Sequence, residues 1–476
     1  MIEAARNRRR PTVALKSAGL LLILLAAVAP AANAVPSFAR KYQTSCATCH
    51  AAFPKLNYFG KAFRNNGYRY PAGTDAEMTK ETPVSLGAEG YKKVWPKALW
   101  PADIAGSIPL GLRAILRANE FENDASNRSF EFPHEVELLA AGTIGETFSF
   151  FGEVEIENEA NENELEMDFA LQYDPRPAFH LRLGSLSIHP VPDHLRLTAS
   201  HYNPYDARTT PSSLTLRVPN PNRPAGPPLS IRATTGEDRW RFRDGQPGIE
   251  IWGARNGAGG NGGLTWAAGI VNGQGLNDAN GDKDAYARVG YKFGGWGELG
   301  GGEPPDRSEF WRDDSFRVGA FFYGGTSTNV FAGSTTALNP SQPAGVSQVT
   351  AEREVENDFD IVGAEFDWWW RDLNLFGLYL QQSDDDPRGT GEGVDTTAWF
   401  VEGNYTFYPW LIGVLRYGET EFDFDTSIDP EAQEFLVPAV VFMARANVKF
   451  TAEAQMRLDD SGNGNDTYLL AIDFGF

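Results

Sequence analysis

The C-terminal stretch of the sequence constrains the fold more than any other feature. Apolar and aromatic side chains occupy every second position from residue 468 to the end, and mostly small or polar residues fill the positions between them. The alternating residues are Tyr468, Leu470, Ile472, Phe474 and Phe476. Because successive side chains of a strand point to opposite faces, the pattern predicts a strand with one apolar face. Strands of membrane barrels have this pattern, and so do strands of soluble β-sandwiches.

The same alternation recurs along residues 108–476. Candidate strands begin near residues 109, 131, 146, 164, 178, 247, 263, 283, 315, 357, 372, 395, 409, 433, 447 and 466. Their even number suits a single-chain bacterial barrel with both termini in the periplasm. Most connections at one end are then short, whereas segments 189–246 and 326–356 at the other end are long. The sequence therefore predicts an all-β fold, a transmembrane antiparallel β-barrel of about sixteen strands.

Aromatic residues collect at two adjacent short turns of this predicted barrel. They are Trp368, Trp369, Trp370, Phe407, Tyr408 and Trp410. Aromatic side chains are enriched where a membrane protein crosses the lipid–water interface. The cluster therefore predicts part of an interfacial girdle.

The N-terminus predicts export. Arg8, Arg9 and Arg10 precede an apolar run over residues 18–28, and Ala32-Asn33-Ala34 follows that run. The run is too short to span a bilayer comfortably, so a signal peptide over residues 1–34 is favoured over a retained anchor. No later stretch is apolar for long enough to form a spanning helix. The mature chain is then periplasmic, secreted or an outer-membrane barrel, and its 49 glycines and 12% aromatic residues favour the barrel.

Cys46 and Cys49 are the only cysteines of the chain, and they form the sequence Cys46-Ala47-Thr48-Cys49-His50. C-x-x-C-H is the attachment signature of c-type haem, in which two thiols bind the vinyl groups and the imidazole ligates iron. A zinc site would need two more close ligands, and a redox disulfide would normally lie in a thioredoxin-like unit. The motif predicts one covalent haem c, with a plain thiol pair as the alternative.

The residues around this motif extend the pattern. They are Ser37-Phe38-Ala39-Arg40, Phe53-Pro54-Lys55-Leu56-Asn57-Tyr58-Phe59-Gly60-Lys61-Ala62-Phe63-Arg64 and Asn66-Gly67-Tyr68. Together with the motif, these residues resemble the outer-membrane porin–cytochrome c fusion family, which includes the fused cytochrome-porins of iron-oxidising bacteria. The resemblance implies that residues 35–107 are a small α-helical monohaem cytochrome c segment with its linker, and that residues 108–476 are the barrel. It also implies haem c on Cys46, Cys49 and His50, and electron transfer across the outer membrane.

Charge separates the two predicted parts. The formal net charge of the whole chain is −21, residues 35–100 carry +6, and residues 101–476 carry −31. Opposite charges favour docking of one part on the other. We therefore expect residues 35–100 to plug the periplasmic end of the lumen. The acidic balance also argues against a nucleic-acid partner.

The alternation of inward and outward positions, or parity, predicts an acidic inner wall on the third and fourth strands. Its members are Glu153, Glu155, Glu157, Glu164, Glu166 and Asp168. They alternate with apolar residues, and carboxylates are costly on a lipid face, so they should point into the lumen. The set predicts either a solvated pore wall or a vestibule that concentrates cations such as Fe²⁺ at the outer mouth.

The second axial ligand of the haem is open among three residues. Met78 is the nearest thioether downstream of the motif, His180 has lumen-facing parity, and His194 follows the fifth strand. A methionine ligand would raise the reduction potential, as it does in cytochromes c.

These observations predict an oxidoreductase-type electron carrier of the bacterial outer membrane. Its haem would pass electrons between an extracellular donor and a periplasmic c-type cytochrome. Fe²⁺ is the favoured donor. The apolar band of a barrel is about 25 Å tall, so a haem at either rim could not serve both sides, whereas one inside the lumen could. The alternatives are a solute or cation porin with a haem-bearing plug, and outward electron flow to an extracellular acceptor.

Overall fold

The computed structural model describes most of the chain. The described residues are 37–85, 87, 89–106, 108–121, 128–159, 162–186, 215–218, 229–235, 246–273, 280–302, 308–331, 353–387, 389, 391–425, 432–458 and 466–476. The predicted signal peptide, residues 1–34, lies outside them.

Among these residues, no helix combines the length and the apolar composition that crossing a bilayer requires.

Residues 37–109, here called the leader, contain short elements only. The helices are α1 (Ser37–Tyr42), α2 (Tyr58–Asn65), α3 (Asp75–Met78) and α4 (Glu89–Val94). Two 3₁₀ turns cover Cys46–Thr48 and Pro71–Gly73, and strands β1 (His50–Ala52) and β2 (Lys55–Leu56) form an antiparallel pair. A segment with so few helical turns cannot bury a core of its own and needs a surface to pack against.

Eighteen further strands follow the leader. They are β3 (Leu110–Phe121), β4 (Arg128–Ile144), β5 (Phe148–Glu159), β6 (Glu162–Arg176), β7 (Phe179–Leu186), β8 (Thr215–Val218), β9 (Leu229–Thr235), β10 (Gln246–Asn256), β11 (Gly263–Val271), β12 (Asp284–Gly294), β13 (Ser315–Phe331), β14 (Arg353–Trp370), β15 (Leu373–Asp384), β16 (Val394–Tyr408), β17 (Leu411–Phe424), β18 (Gln433–Arg445), β19 (Val448–Arg457) and β20 (Thr467–Gly475). Each pairs with a neighbour in an antiparallel register.

Sixteen of these strands form a closed cylinder. Strand β20 pairs with β3, and β7 pairs directly with β10, so the ring closes without β8 and β9. Those two strands pair with each other, and β9 also pairs with the far end of β13. The predicted sixteen-stranded antiparallel barrel is thereby confirmed.

Every predicted strand start lies within four residues of an observed one. The hairpin of β8 and β9 was missed because it lies inside the segment 189–246 that was taken as a loop. Its two strands are short, and five prolines fall between them. Proline removes a backbone donor, so the stretch has the composition of a loop.

The two rims of the barrel differ. At one rim most turns are tight, for example residues 145–147, 177–178, 371–372 and 409–410, and the barrel begins and ends there. The β12–β13 connection, residues 295–314, is the long exception at this rim. The connections at the other rim are mostly longer, and they include residues 187–245 and 332–352 between the strand bounds. We call these the short-turn rim and the long-loop rim. In outer-membrane barrels the short turns are periplasmic.

The outer surface of the cylinder is apolar. Leu165, for example, is 70% exposed, and Trp368, Trp370, Phe407, Tyr408 and Trp410 are exposed near the short-turn rim as the girdle prediction required. Trp369 is the exception, since it is only 6% exposed. The girdle prediction was wrong for this residue because the alternation of β14 turns it into the lumen.

The inner surface has two different parts. On β7, β11–β16 and β18 it carries a cluster of buried apolar side chains, here called the apolar wall: Leu186, Val271, Tyr286, Phe321, Tyr323, Ile361, Phe376, Leu378, Leu380, Ala398, Phe400, Phe435 and Val437. On β4–β6 the inward positions are mostly acidic. Sequence parity had predicted the acidic part only.

Candidate functional site

The first half of the leader, residues 37–72, lies inside the ring of strands at the short-turn rim. Lys61 Nζ is 2.5 Å from Asp367 Oδ2 on β14. Arg69 Nη1 is 3.2 Å from Asp174 Oδ2 on β6, on another side of the ring. Both carboxylates are largely buried. The basic leader is thus held by acidic residues of the inner wall.

Apolar contacts complete this docking. Ala52 packs with inward side chains of β17 and β18, which are Ile412, Val414, Ala439 and Val441. Phe59 of α2 stacks on Trp296 in the β12–β13 connection, with ring centroids 5.8 Å apart. The Nζ atom of Lys55 lies over the rings of Trp369 and Phe376, 5.3 and 4.9 Å from their centroids. The contacts come from several strands around the ring.

The two cysteines lie at either end of a single turn. The backbone N–H of Cys49 donates to the carbonyl of Cys46 at 3.1 Å, and both thiols are free. Burial raises the pKa of Cys46, and it raises the pKa of Cys49 to about 12. Disulfide exchange needs a thiolate, so this environment disfavours that reaction. A thioether carries no ionisable proton and is compatible with a buried position.

His50 is held in the tautomer that metal binding requires. Its Nδ1 is 2.9 Å from the carbonyl oxygen of Pro54 across the β1–β2 hairpin. A carbonyl can only accept, so Nδ1 carries the proton and Nε2 carries the lone pair. Histidine ligands of metals commonly donate their other N–H to a backbone carbonyl in this way. The donor set therefore fits a haem iron.

Helix α2 and its N-cap residue Asn57 hold the backbone of the C-x-x-C-H motif in place. Asn57, which is fully buried, donates from Nδ2 to the carbonyls of Ala47 and Thr48, each at 3.2 Å. A Cβ at Gly60 would lie 2.1 Å from the carbonyl oxygen of Cys49, so only glycine permits this approach. The C-x-x-C-H backbone is thereby fixed within the leader.

The candidates for the second axial ligand lie in different places. Met78 is half-buried at the end of α3. His180 is buried in the barrel wall, with Nδ1 2.6 Å from Asp174 Oδ1 and Nε2 3.1 Å from the carbonyl oxygen of Pro177. Iron binding by His180 would break one of these hydrogen bonds. His194 lies outside the described residues, and the choice among the three stays a prediction.

The acidic residues of β5 and β6 stand directly opposite one another. The cross-strand pairs are Glu153 with Asp168, Glu155 with Glu166 and Glu157 with Glu164. Glu164 is placed by its backbone, and its side chain lies outside the described part. Their neighbours Leu165, Met167 and Phe169 are exposed on the outer surface, as parity predicted.

Strand β4 adds two carboxylates that the prediction missed. Glu135 pairs with Glu157, and Glu137 pairs with Glu155. The alternation of Glu135 and Glu137 with Val136 and Leu138 would have revealed them. We call the whole set the acidic wall: Glu135, Glu137, Glu153, Glu155, Glu157, Glu166 and Asp168.

Like charges directly opposite each other destabilise a sheet, so the acidic wall attracts cations. Carboxylate oxygens of Glu135, Glu137 and Glu155 lie within 4.8 Å of one another. Arg113 supplies part of the positive charge, since it bonds to Glu135 and Glu137 and makes two 3.1 Å contacts with Asp473. Oxygen donors at this spacing suit a divalent cation.

Arg113 also connects the acidic wall to the C-x-x-C-H segment. Its guanidinium carbon is 5.2 Å from the centroid of the Phe53 ring. The Phe53 ring lies edge-on to His50, with ring centroids 5.5 Å apart. Glu135 and Glu137 of the acidic wall are therefore connected to His50 through Arg113 and one aromatic ring.

The closed sheet and its apolar exterior define the class of protein. A cylinder without edges satisfies every backbone group inside lipid, and an apolar outer band matches the bilayer core. The protein is a porin-like transmembrane β-barrel of the bacterial outer membrane.

No family model and no curated protein matches the sequence. Solved structures that resemble the chain include a loop L8 deletion mutant of OmpT, an outer membrane protein of Vibrio cholerae, with 12% identity over 77% of this chain and 98% of that one and a TM-score of 0.48. Salmonella typhi OmpF in complex with daunomycin has 13% identity over 79% and 98%, with a TM-score of 0.45. The outer membrane channel DcaP of Acinetobacter baumannii has 11% identity over 77% and 97%, with a TM-score of 0.42.

Proposed function

We propose that this protein is an electron conduit of the outer membrane. Cys46 and Cys49 would hold a haem c covalently, and His50 would be its axial ligand. The observation that carries the proposal is the position of the C-x-x-C-H turn, inside the barrel and connected to the acidic wall through Arg113 and the ring of Phe53. When bound there, haem supplies a one-electron acceptor and donor.

The acidic wall collects the extracellular substrate. It begins near the long-loop rim, where β5 and β6 meet, and Arg113 bonds to its members Glu135 and Glu137 on β4. Carboxylates lining one side of a narrow lumen raise the local concentration of cations such as Fe²⁺. Fe²⁺ loses one electron and leaves as Fe³⁺, and a ferric cytochrome in the periplasm gains that electron.

Arg113 lies between the acidic wall and the leader. Its positive charge stands between the carboxylates and Phe53, so a metal cation approaching the leader meets repulsion. The electron would pass to the leader while the iron stays on the outer side. Separation of the two keeps insoluble Fe³⁺ out of the periplasm.

The leader positions the redox group for the second partner. It is docked at the short-turn rim by Lys61 and Arg69 and continues directly into β3. A soluble periplasmic c-type cytochrome would approach the barrel from this side. Electron flow in the opposite direction, to an extracellular acceptor, uses the same parts.

A haem-plugged cation porin is the second candidate, and the acidic wall is the observation that favours it. The two functions differ in what crosses the membrane. The apolar wall and the docked leader argue against a wide aqueous channel, since apolar side chains do not solvate ions. We therefore place the conduit first.

Three measurements on purified protein in lipid nanodiscs and planar bilayers test the proposal. Mass spectrometry should find one haem attached covalently, and anaerobic Fe²⁺ should reduce the oxidised protein, which a periplasmic cytochrome then reoxidises. The matched control, Cys46→Ala with Cys49→Ala, should fold as a barrel and show neither signal. Ion conductance without any reduction by Fe²⁺ would favour the porin.

A further inference from the structure

The second half of the leader forms a loop of its own before β3 begins. Val84 and Ile104 exchange two backbone hydrogen bonds, of 3.0 and 3.1 Å, and so close the base of the loop. Helix α4 and the residues that follow it occupy the tip. We call the span 84–104 the rim loop.

The rim loop carries large apolar side chains that the described part of the protein leaves exposed. Tyr91 and Trp95 are each 66% exposed, Val94 is 64% exposed, and Leu99 is completely exposed. Tyr91, Val94 and Trp95 share one helix face, because the Trp95 N–H donates to the Tyr91 carbonyl at 2.9 Å and continues the turn. Such a patch on a protein surface marks an interaction site.

Basic residues surround this patch. Lys92 and Lys93 lie on α4, and Lys97 lies between Trp95 and Leu99. Glu89 is the one acidic residue of α4, and it pairs with Lys92 at 3.1 Å. Aromatic and aliphatic side chains framed by lysines are typical of helices that lie in the membrane interface and bind anionic headgroups.

The rim loop is also continuous with the lipid-facing surface. It returns to the barrel through Ile108, which is 70% exposed, and Leu110, the first residue of β3. Leu110 has the opposite parity to Arg113, which points into the lumen, so Leu110 faces outward. At Asp103 the loop is fixed to the β4–β5 turn by a 3.1 Å hydrogen bond from Gly145 N–H. The loop therefore leaves the short-turn rim at the level of the bilayer surface.

We propose that the rim loop binds the periplasmic leaflet of the outer membrane. Tyr91, Val94, Trp95 and Leu99 enter the headgroup region, and the three lysines contact lipid phosphates. This anchor fixes the chain at the point where it passes from the leader inside the lumen to the first strand of the barrel. The inference needs neither haem nor electron transfer.

Spin labelling of the full-length protein in vesicles tests this binding. A nitroxide at Leu99→Cys is compared with one at Asp282→Cys, an exposed residue of the β11–β12 connection at the opposite rim. In vesicles of phosphatidylethanolamine and phosphatidylglycerol, the label at 99 should be roughly fivefold less accessible to a water-soluble nickel chelate than the label at 282. Its accessibility to oxygen should be higher.

The lysines supply the control for charge. Lys92→Gln, Lys93→Gln and Lys97→Gln together should make the label at 99 more accessible to nickel, as should vesicles of phosphatidylcholine alone. Unsubstituted protein taken through the same labelling gives the background signal from Cys46 and Cys49. The change in electrophoretic mobility between unheated and heated samples verifies that each barrel is folded. Equal nickel accessibility at 99 and 282 would overturn the proposal. Protection at 99 that appears only when a periplasmic cytochrome is added would also overturn it, in favour of a protein partner.

Discussion

The two walls of the lumen follow the same alternation but have opposite chemistry. Inward positions of β5 and β6 include carboxylates that face one another, whereas β13–β16 and β18 carry inward aliphatic and aromatic side chains that pack together. The acidic wall gains stability from cations and water, and the apolar wall gains it by excluding them. The two walls therefore share one strand geometry but are stabilised by different interactions.

The largest effect should come from a cavity in the apolar wall. Leu380 on β15 has no exposed surface, whereas Leu415 on β17 is 54% exposed on the lipid side. Leu380→Ala should lower the free energy of unfolding by about 2–5 kcal/mol. Leu415→Ala is the matched control and should cost far less. Urea unfolding of vesicle-inserted protein measures both, and equal losses would mean that the apolar wall is not packed.

The second effect concerns Lys55, where the leader meets the apolar wall. Burial lowers its pKa to about 8 from the 10.5 of the exposed side chain. Between these values the unfolded chain binds more protons than the folded one, so stability should rise as pH increases from about 8 to about 10.5. The full change would be about 3 kcal/mol.

Unfolding at pH 7.5 and pH 10 measures this effect. In Lys55→Met the rise should be smaller by the lysine contribution, while Lys92→Met, which changes an exposed lysine, should behave like the parent protein. A rise of the same size in both variants would show that Lys55 is not the group responsible.

The third effect is kinetic and belongs to the acidic wall. Replacing Glu153, Glu155 and Glu157 with glutamine should slow haem reduction by Fe²⁺ roughly 10- to 100-fold at low salt, since a focused field raises on-rates by such factors. The control is Glu419→Gln with Glu421→Gln, because these residues alternate with buried inward positions and face away from the lumen. Stopped-flow absorbance gives the rates. Equal rates in both variants would remove the acidic wall from the pathway.

The smallest effect is a change in stability that should have opposite signs in the two walls. Glu166 lies directly opposite Glu155, so Glu166→Gln relieves repulsion and should stabilise the barrel by about 0.2–1 kcal/mol. A polar substitution at Leu380 should do the reverse. The midpoint of urea unfolding distinguishes the two, and a loss of stability in Glu166→Gln would show that Glu166 already has a compensating partner.

Strand positions could be predicted because they depend on local chemistry. Alternation places each inward residue independently of distant contacts, and this located Glu153, Glu155 and Glu157 correctly on the inner face. The same alternation should have placed Trp369 on the inner face, because its neighbours Trp368 and Trp370 are girdle residues on the outer face. The hairpin β8–β9 was not predicted because β9 pairs with β13, which is far away in sequence.

The sequence alone determined the C-x-x-C-H turn, the barrel class, the rim asymmetry and the side of the sheet that each strand residue faces. Each of these depends on residues within one or two turns or strands of each other. Only the tertiary structure decided that Arg113 and Phe53 connect the acidic wall to His50. It also decided that the lumen has an apolar side. These are contacts between segments far apart in the chain, and their formation depends on ring closure and strand register, which no local pattern specifies.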